Sequence, residues 1–406
     1  MIKKLKYLFF SVALLSNIVF FTFCSLVGLE FEGSDSNSAY IYFCLFLFAI
    51  VSVFVLIDFK KCKNRKLFLI PFFFIFIYFI ESSLFQYSWG QRILLQQSFK
   101  CFCAFSIPCI FIGVNLANTK SIERIYPWVD VLAVFIALGC LVSLPRFLTS
   151  GLFQYGGSNY QQLSYNAAFA FSILLYNLLF NNRYRFRPLS NKLFSCLSFF
   201  LMLGCIICIL SSGGRGGFVL LLVNILYVFY LKGKDSIKSI IYILITVLII
   251  VFLLYFLDLG LVKDLVDFGY ERIFNTFFSH EGSAISRGGR DEVFNLALRY
   301  ISENPFGYGF FRSYALMGNY PHNIILEILM DGGFLLLLLF ICFIVKLIIK
   351  LKRIGKEENQ PTLFMLLFFY PIVMLSFTGT YLWNGMFWFC VVYILSYRVF
   401  KRSIPD

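Results

Sequence analysis

Long apolar runs alternate with short polar connections along almost the whole chain. A helix that crosses the apolar core of a bilayer needs roughly 17–25 residues, and about twelve runs approach or reach that length. This pattern predicts an all-α polytopic membrane protein with about twelve transmembrane helices. The runs lie near residues 7–29, 39–57, 67–84, 93–117, 127–145, 163–181, 193–212, 217–231, 239–257, 323–345, 362–379 and 383–399.

The composition excludes an ordinary soluble protein. Hydrophobic residues make up 60% of the chain, the mean hydropathy is +0.82 and 14% of the residues are charged, whereas soluble domains carry roughly 25% charged residues. The opening "MIKKLKYLFFSVALL" has the basic start and apolar middle of a signal peptide. It lacks a good cleavage site, so we expect the mature protein to retain it as the first helix.

The distribution of positive charge predicts the orientation in the membrane. With a cytoplasmic N-terminus, 25 of the 35 lysines and arginines fall in inner segments, nine fall in outer segments, and Lys100 lies within a run. This asymmetry follows the positive-inside rule and predicts that both termini are cytoplasmic. Because the net charge of +14 is carried by these short inner segments, it does not indicate a nucleic-acid partner.

One outer segment is much longer than the others. Residues 258–322 form a polar stretch of 65 residues, in which we expect short helices around 262–278 and 289–303. Long structured connections are more often functional than merely connecting. The sequence thus predicts three parts: nine helices over 1–257, a large outer loop over 258–322, and three helices over 323–406.

The cysteines and histidines suggest neither a disulfide framework nor a metal site. Of the twelve cysteines, all except Cys62 fall inside or at the edge of apolar runs, where cysteine behaves as a small hydrophobic residue. Only two histidines accompany them, His280 and His322, so no zinc-type ligand cluster exists. We expect no disulfide, no bound metal and no cofactor.

A glycine-rich turn around Arg215 is the first candidate site. In "SSGGRGGF", four glycines flank Arg215 at the predicted outer end of the seventh run. Glycine lets backbone amides approach a ligand closely, and the following helix begins with its positive end. The stretch is consistent with an anion-binding site, and equally with a tight helical hairpin that carries one arginine at the membrane surface.

The second candidate lies in "SRGGRDEVFNLALRYISENPFGYGF", residues 286–310. Arg287 and Arg290 precede an amphipathic run that is typical of a helix on the outer membrane surface. Arginine matches phosphate oxygens in a bidentate manner. A solvated charge run or contacts with lipid headgroups would explain the same two residues.

The third candidate is His322, in "PHNIILEILMDGG" at the start of the tenth run. A helix N-terminus and nearby arginines both disfavour the imidazolium form, and a neutral imidazole can act as a base. The alternative is a hydrogen-bonded structural histidine. Glu327 and Asp331 follow closely and either orient the ring or face other helices. His280, in the flexible-looking "FFSHEGS", is a weaker candidate.

These three motifs, in this order and all on the outer side, resemble the O-antigen polymerase and O-antigen ligase superfamily. Its members are bacterial inner-membrane glycosyltransferases with about a dozen spans and one large periplasmic loop. The resemblance in motifs covers roughly residues 205–345, and the first 200 residues match only in hydropathy.

The resemblance implies metal-independent transfer of sugar chains from an undecaprenyl-diphosphate carrier at the periplasmic face of the inner membrane. Arg215 and Arg290 would hold the diphosphate, with Arg287 competing for the position of Arg290, and His322 would serve the acceptor hydroxyl. The expected partners are the carrier-linked oligosaccharide donor and acceptor, the lipid bilayer and a chain-length regulator protein. The expected activity is polymerisation of oligosaccharide repeats into O-antigen or a related surface polysaccharide.

Two other functions compete with polymerisation. The first is the O-antigen ligase reaction, which joins the finished chain to lipid A–core with the same diphosphate chemistry. The second is a flippase or exporter without chemistry. Transporters place ionisable groups near the membrane midplane and are often built from repeats, whereas the candidate residues here line the outer rim and no internal repeat is evident.

Overall fold

The structure is a computed structural model, and it describes residues 2–29, 34–62, 64–150, 155–158, 160–180, 191–232, 290–358 and 363–398. These residues form a helical bundle. In chain order its helices are α1 (Ile2–Leu14), α2 (Ser16–Val27), α3 (Ser34–Asp58), α4 (Ile70–Leu84), α5 (Trp89–Cys101), α6 (Ile107–Thr119), α7 (Tyr126–Ser150), α8 (Tyr160–Phe180), α9 (Asn191–Ser212), α10 (Arg215–Lys232), α11 (Arg290–Glu303), α12 (Arg312–Met317), α13 (Ile324–Glu358), α14 (Phe364–Phe377) and α15 (Gly385–Ser396). No strand occurs within the described ranges.

The apolar helices agree with the predicted polytopic membrane protein. Among the described residues, seven helical stretches are long and apolar enough to cross a bilayer, or eight if one bent pair counts as a single span. Three shorter apolar helices, Arg215–Leu231, Phe364–Phe377 and Gly385–Ser396, coincide with predicted runs. The predicted run at 239–257 and the predicted short helix at 262–278 lie outside the described residues. The count of twelve spans therefore stays a prediction.

The first predicted span is broken. Helices α1 and α2 meet at Leu15 with a bend of 86°, so the run at 7–29 is not one straight helix. Ser16 and Asn17 follow the bend at the start of α2. Each half is too short to cross the bilayer alone, since a helix rises 1.5 Å per residue.

Close helix packing forms the core. Helix α6 lies against α15, and α8 lies against both α9 and α10. A Cβ atom at Gly113 of α6 would meet the backbone oxygen of Phe389 at 2.8 Å, so the two backbones approach too closely for a side chain. Small residues at helix interfaces permit such approaches in membrane proteins. A single turn of π-helix, Phe102–Ser106, joins α5 to α6.

Residues near the predicted inner ends of three apolar runs meet at one end of the bundle. The ammonium group of Lys6 donates hydrogen bonds to Asp58 at 2.5 Å and to the amide oxygen of Asn115 at 2.8 Å. Lys61 pairs with the same carboxylate at 2.6 Å. A buried charge is tolerated when it is paired and hydrogen-bonded, and this cluster ties together α1, α3 and α6.

Helix α13 is also broken, near its start. Gly332 and Gly333 have non-helical backbone angles, and Gly333 has a positive φ of 64°. The loop after α11 docks into this break: the amides of Tyr308 and Gly309 donate to the carbonyls of Met330 and Asp331 at 2.7 and 2.8 Å. The first two turns of α13, which follow His322, are therefore fixed separately from the rest of the helix.

A carboxylate of α4 fixes the end of the same loop. The backbone amides of Phe310 and Phe311 donate to Glu81 at 2.7 and 3.0 Å. A Cβ atom at Gly309 would meet the same carboxylate at 2.5 Å. The "NPFGYGF" stretch is thus a structural connector between α4, α12 and α13.

Candidate functional site

A cavity of about 440 Å³ lies between the bend of α1–α2, the helices α5 and α8, helix α12 and the connection from α14 to α15. We refer to it as the central cavity. Its lining combines amide side chains with aromatic rings and hydroxyl groups, and no described residue of the lining is charged. The amides and large aromatics are Asn17, Gln97, Gln161, Gln162, Asn384, Phe21, Tyr40, Phe105, Tyr165, Tyr314, Tyr320, Tyr370 and Trp383. The π-helical turn contributes Phe105, and such turns are frequent at functional sites.

The glycine-rich turn places Arg215 beside the central cavity. Gly213 adopts a positive φ of 64° after the end of α9, and Arg215 begins α10 half-buried. The turn packs directly on α8: the hydroxyl of Ser164 donates to the carbonyl of Gly214 at 3.0 Å. A Cβ atom at Gly216 would meet the hydroxyl of Tyr165, a residue of the cavity lining, at 1.7 Å. The glycines thus serve close packing of two helices, and Arg215 begins α10 between two of these packed glycines.

His322 stands at another wall of the central cavity. Its backbone has a positive φ of 55°, which is uncommon for a residue other than glycine. The following Asn323 caps α13, because its side-chain oxygen accepts from the amides of Ile325 and Leu326 at 2.9 and 3.3 Å. His322 therefore precedes the helix cap, on a backbone turned away from the helical path.

Two residues of the cavity lining contact the imidazole directly. The hydroxyl of Thr378 lies 3.4 Å from Nδ1 of His322. The ring of Tyr320 packs edge-to-face against the imidazole, with centroids 4.6 Å apart. Tyr320 also packs against Trp383 at 6.0 Å. An unusual backbone conformation held by such contacts suggests a functional position.

Behind His322, Glu327 is buried against the connection from α14 to α15. Its carboxylate accepts hydrogen bonds from the hydroxyl of Thr380 and from the backbone amide of Tyr381, the latter at 3.2 Å. Thr380 lines the central cavity two residues beyond Thr378. Glu327 thus fixes the segment that contacts His322.

Asp331 lies one turn further along α13 and is buried too. Its carboxylate accepts hydrogen bonds from the hydroxyl of Ser313 at 2.6 Å and from the hydroxyl of Tyr381 at 2.5 Å. Burial raises the pKa of Tyr381 well above its usual value, so the phenol keeps its proton and donates. Asp331 therefore links α12, α13 and the connection between α14 and α15.

The other sequence candidates are placed less completely. Arg290 begins α11, which agrees with the predicted helix at 289–303. Its side chain lies outside the described residues. Arg287 and His280 lie outside them altogether. The choice between Arg287 and Arg290 therefore stays open.

Metal-binding groups are not evident in the described part of the chain. It holds no cluster of three or more histidine, cysteine, aspartate or glutamate side chains that could hold an ion. All twelve cysteines are free thiols.

The cavity lining itself was missed by the sequence analysis. Its residues come from the bend of α1–α2, from α5, α8 and α12 and from the connection before α15. Tyr320, two residues before His322, lies just outside the motif and was given no role. The pair Ser16–Asn17 inside an apolar run was the one local signal of a break there.

Comparison with known proteins finds a match over the part of the chain that carries the candidate residues. Residues 197–341 match the sequence model of the O-antigen ligase family, a stretch that includes Arg215, Arg290 and His322. No curated protein and no solved structure shows significant similarity to the chain. The part of the chain that carries all three residues is therefore similar to the O-antigen ligase family.

Proposed function

We propose that this protein polymerises oligosaccharide repeats that are linked to undecaprenyl diphosphate, at the periplasmic face of the bacterial inner membrane. One observation carries the proposal: the turn that holds Arg215 packs against Tyr165 through Gly216, His322 contacts Thr378, and both Tyr165 and Thr378 line the central cavity. Arg215 and His322 are 107 positions apart in sequence. A cation and an imidazole beside one cavity are the groups that transfer from a diphosphate carrier requires.

The reaction balances with these groups. A hydroxyl oxygen of the acceptor sugar attacks the anomeric carbon of the donor chain, and the bond from that carbon to the diphosphate oxygen breaks. The diphosphate leaves as an anion, and Arg215 stabilises its growing charge together with Arg290. His322 takes the proton of the attacking hydroxyl. Direct displacement inverts the configuration at the anomeric carbon.

The arginines take the part that a divalent ion plays in many diphosphate-using enzymes. In the proposed mechanism, preplaced cations stabilise the leaving diphosphate without a metal. The central cavity also differs from the ion-coupled sites of transporters, which hold ionisable groups. We therefore favour chemistry over transport.

Ligation of the finished chain to lipid A–core is the second candidate, because the matching family is described as O-antigen ligase. Both reactions use the same donor and differ in the acceptor. Gel profiling of surface polysaccharide in a deletion strain separates them. Lipid A–core that carries a single repeat supports the polymerase, loss of all chains from lipid A–core supports the ligase, and carrier-linked repeats that accumulate in the cytoplasm would contradict both.

A further inference from the structure

The central cavity has a chemical character that the transfer reaction alone does not require. Its described lining offers amides, hydroxyls and aromatic rings but no charged side chain. Its volume of about 440 Å³ falls in the usual range of ligand pockets, roughly 300–1,000 Å³. A mono- or disaccharide fits this space, whereas a longer chain must extend out of it.

One polar atom of the cavity lining has no hydrogen-bond partner among the described residues. The side-chain oxygen of Asn17 is buried and accepts no hydrogen bond within the described part of the chain. Buried polar atoms are nearly always satisfied, so a hydroxyl group that donates a hydrogen bond in the cavity would complement this oxygen. Asn17 lies just after the bend of α1–α2, and that bend exposes the first turn of α2 to the cavity.

The remaining polar groups match hydroxyls rather than anions. Amide side chains such as Gln97 and Asn384 both donate and accept, as sugar hydroxyls do. The rings of Tyr314 and Trp383 lie 5.0 Å apart at the same wall and offer apolar faces to the C–H surfaces of a pyranose.

A carboxylate or phosphate on the ligand would bind weakly in this cavity. Burial of an ion without a counter-charge is strongly unfavourable, and no described lysine or arginine lines the cavity. The first turns of α2 and α15 add N–H donors, but a helix end carries only about half an elementary charge. Within the cavity itself, the described lining therefore favours an uncharged sugar over an acidic one.

Resting on the proposed function, we propose that the central cavity binds the uncharged terminal sugar of the acceptor chain and presents its hydroxyl to His322. The placement follows from Tyr320 and Thr378, which line the cavity and also contact the imidazole. The diphosphate stays outside, on the side of Arg215. The repeat units that this protein extends thus carry a neutral sugar at the end away from the carrier.

The test uses the full-length protein in lipid nanodiscs and pairs of sugars that differ in one group. Saturation-transfer NMR measures binding of glucose against glucuronate and of galactose against galacturonate. We expect at least one neutral sugar to bind and its uronate partner to bind at least about tenfold more weakly. Equal or tighter binding of the uronates, or no binding by any sugar, overturns the proposal.

Two glutamines on α5 provide a matched pair of variants. Gln97 lines the cavity and Gln96 is exposed on the same helix. Gln97→Leu should weaken binding of the neutral sugar about tenfold, as loss of a buried hydrogen bond implies, while Gln96→Leu binds normally. Asn17→Leu gives a second variant should Gln97→Leu fail to fold. Unchanged binding in a folded Gln97→Leu or Asn17→Leu protein assigns the sugar elsewhere and overturns the proposal.

The failure of this proposal is distinguishable from failure of the proposed function. Loss of polymer in His322→Ala, combined with unchanged sugar binding in Gln97→Leu, would remove only the role of the cavity. Full polymer in His322→Ala would remove the proposed function, whatever the cavity binds.

Discussion

The hydroxyl of Thr378 lies 3.4 Å from Nδ1 of His322. This contact helps to orient the imidazole that the proposed mechanism uses as a base. Because removal of a general base typically lowers a rate by about 10²–10⁴, His322→Ala should leave mostly unpolymerised repeats. Thr378→Val should lower the rate less and Thr378→Ser should keep it, and polysaccharide gels together with transfer rates measure both.

Binding of the carrier-linked donor separates a base from a phosphate ligand. Donor binding should survive in His322→Ala because arginines hold the diphosphate. A full polysaccharide ladder in that variant, or loss of donor binding, would contradict the assigned role. His280→Ala serves as the histidine control and should polymerise normally.

Arg215→Ala should abolish polymer while the protein level in the membrane stays near normal. A lost hydrogen bond to a charged group costs about 1.5–3 kcal/mol, and lysine should rescue only partly because it lacks the planar fork. Arg290→Ala should likewise abolish polymer at a near-normal protein level. Binding of undecaprenyl diphosphate to the purified variants measures the effect.

Arg299→Ala is the matched arginine control. Arg299 is exposed on α11 and pairs with Glu303 at 2.9 Å, so its loss should leave binding unchanged. Normal chains in Arg215→Ala would show that this arginine only completes a helical hairpin, and normal chains in Arg290→Ala would transfer that role to Arg287.

Glu327→Leu should destabilise the protein and reduce activity together. It would leave the buried hydroxyl of Thr380 and the amide of Tyr381 without their acceptor, at about 1–3 kcal/mol for each group. Glu303→Leu breaks only a surface pair, which is worth at most about 1 kcal/mol. Thermal unfolding in detergent compares the two, and equal melting temperatures would disprove the structural role of Glu327.

Gly333→Ala should destabilise the protein by about 2 kcal/mol or more. The new methyl group would meet the backbone oxygen of Pro305 at 1.9 Å, at a residue with a positive φ of 64°. At Gly90, on α5, a methyl group meets nothing within 4 Å, so Gly90→Ala is the control. Similar melting temperatures of the two variants would show that α13 is not broken as described.

Labelling with a membrane-impermeant maleimide tests the orientation. Only Cys196 and Cys342 are exposed among the twelve cysteines. Their replacement by serine should therefore give a protein that reacts little with the maleimide. Asn319→Cys, in the exposed turn before His322, should react when the outer membrane is permeabilised. Lys4→Cys, exposed near the N-terminus, should react only after the inner membrane is disrupted, and the reverse pattern would invert the topology.

Hydropathy alone predicted most of the bundle. Lipid requires apolar side chains around the helices, so length and composition mark each run, and the amphipathic pattern at 289–303 marked α11. The two breaks were missed because an apolar window averages over them. Ser16–Asn17 and Gly332–Gly333 were the local signals, since polar pairs and paired glycines commonly interrupt helices.

The site was predictable only where residues carry distinctive chemistry. Arg215 and His322 stand out because charge and imidazole are rare at the outer ends of apolar runs. Gln97, Asn17 and Thr378 resemble ordinary polar residues of membrane helices. Only the tertiary packing of separate helices gathers them around one cavity, and no local pattern records that packing.

The break at Gly332–Gly333 has a mechanical consequence. The long part of α13 beyond the break is exposed at Phe334, Leu335 and Leu338, so we expect it to face lipid and to tilt with the thickness of the bilayer. The short part before it is bound by Thr380, Tyr381 and Ser313. Because the break fixes the short part separately from the long part, tilting of the long helix should not displace the imidazole, and the transfer rate should be insensitive to the acyl-chain length of the surrounding lipid.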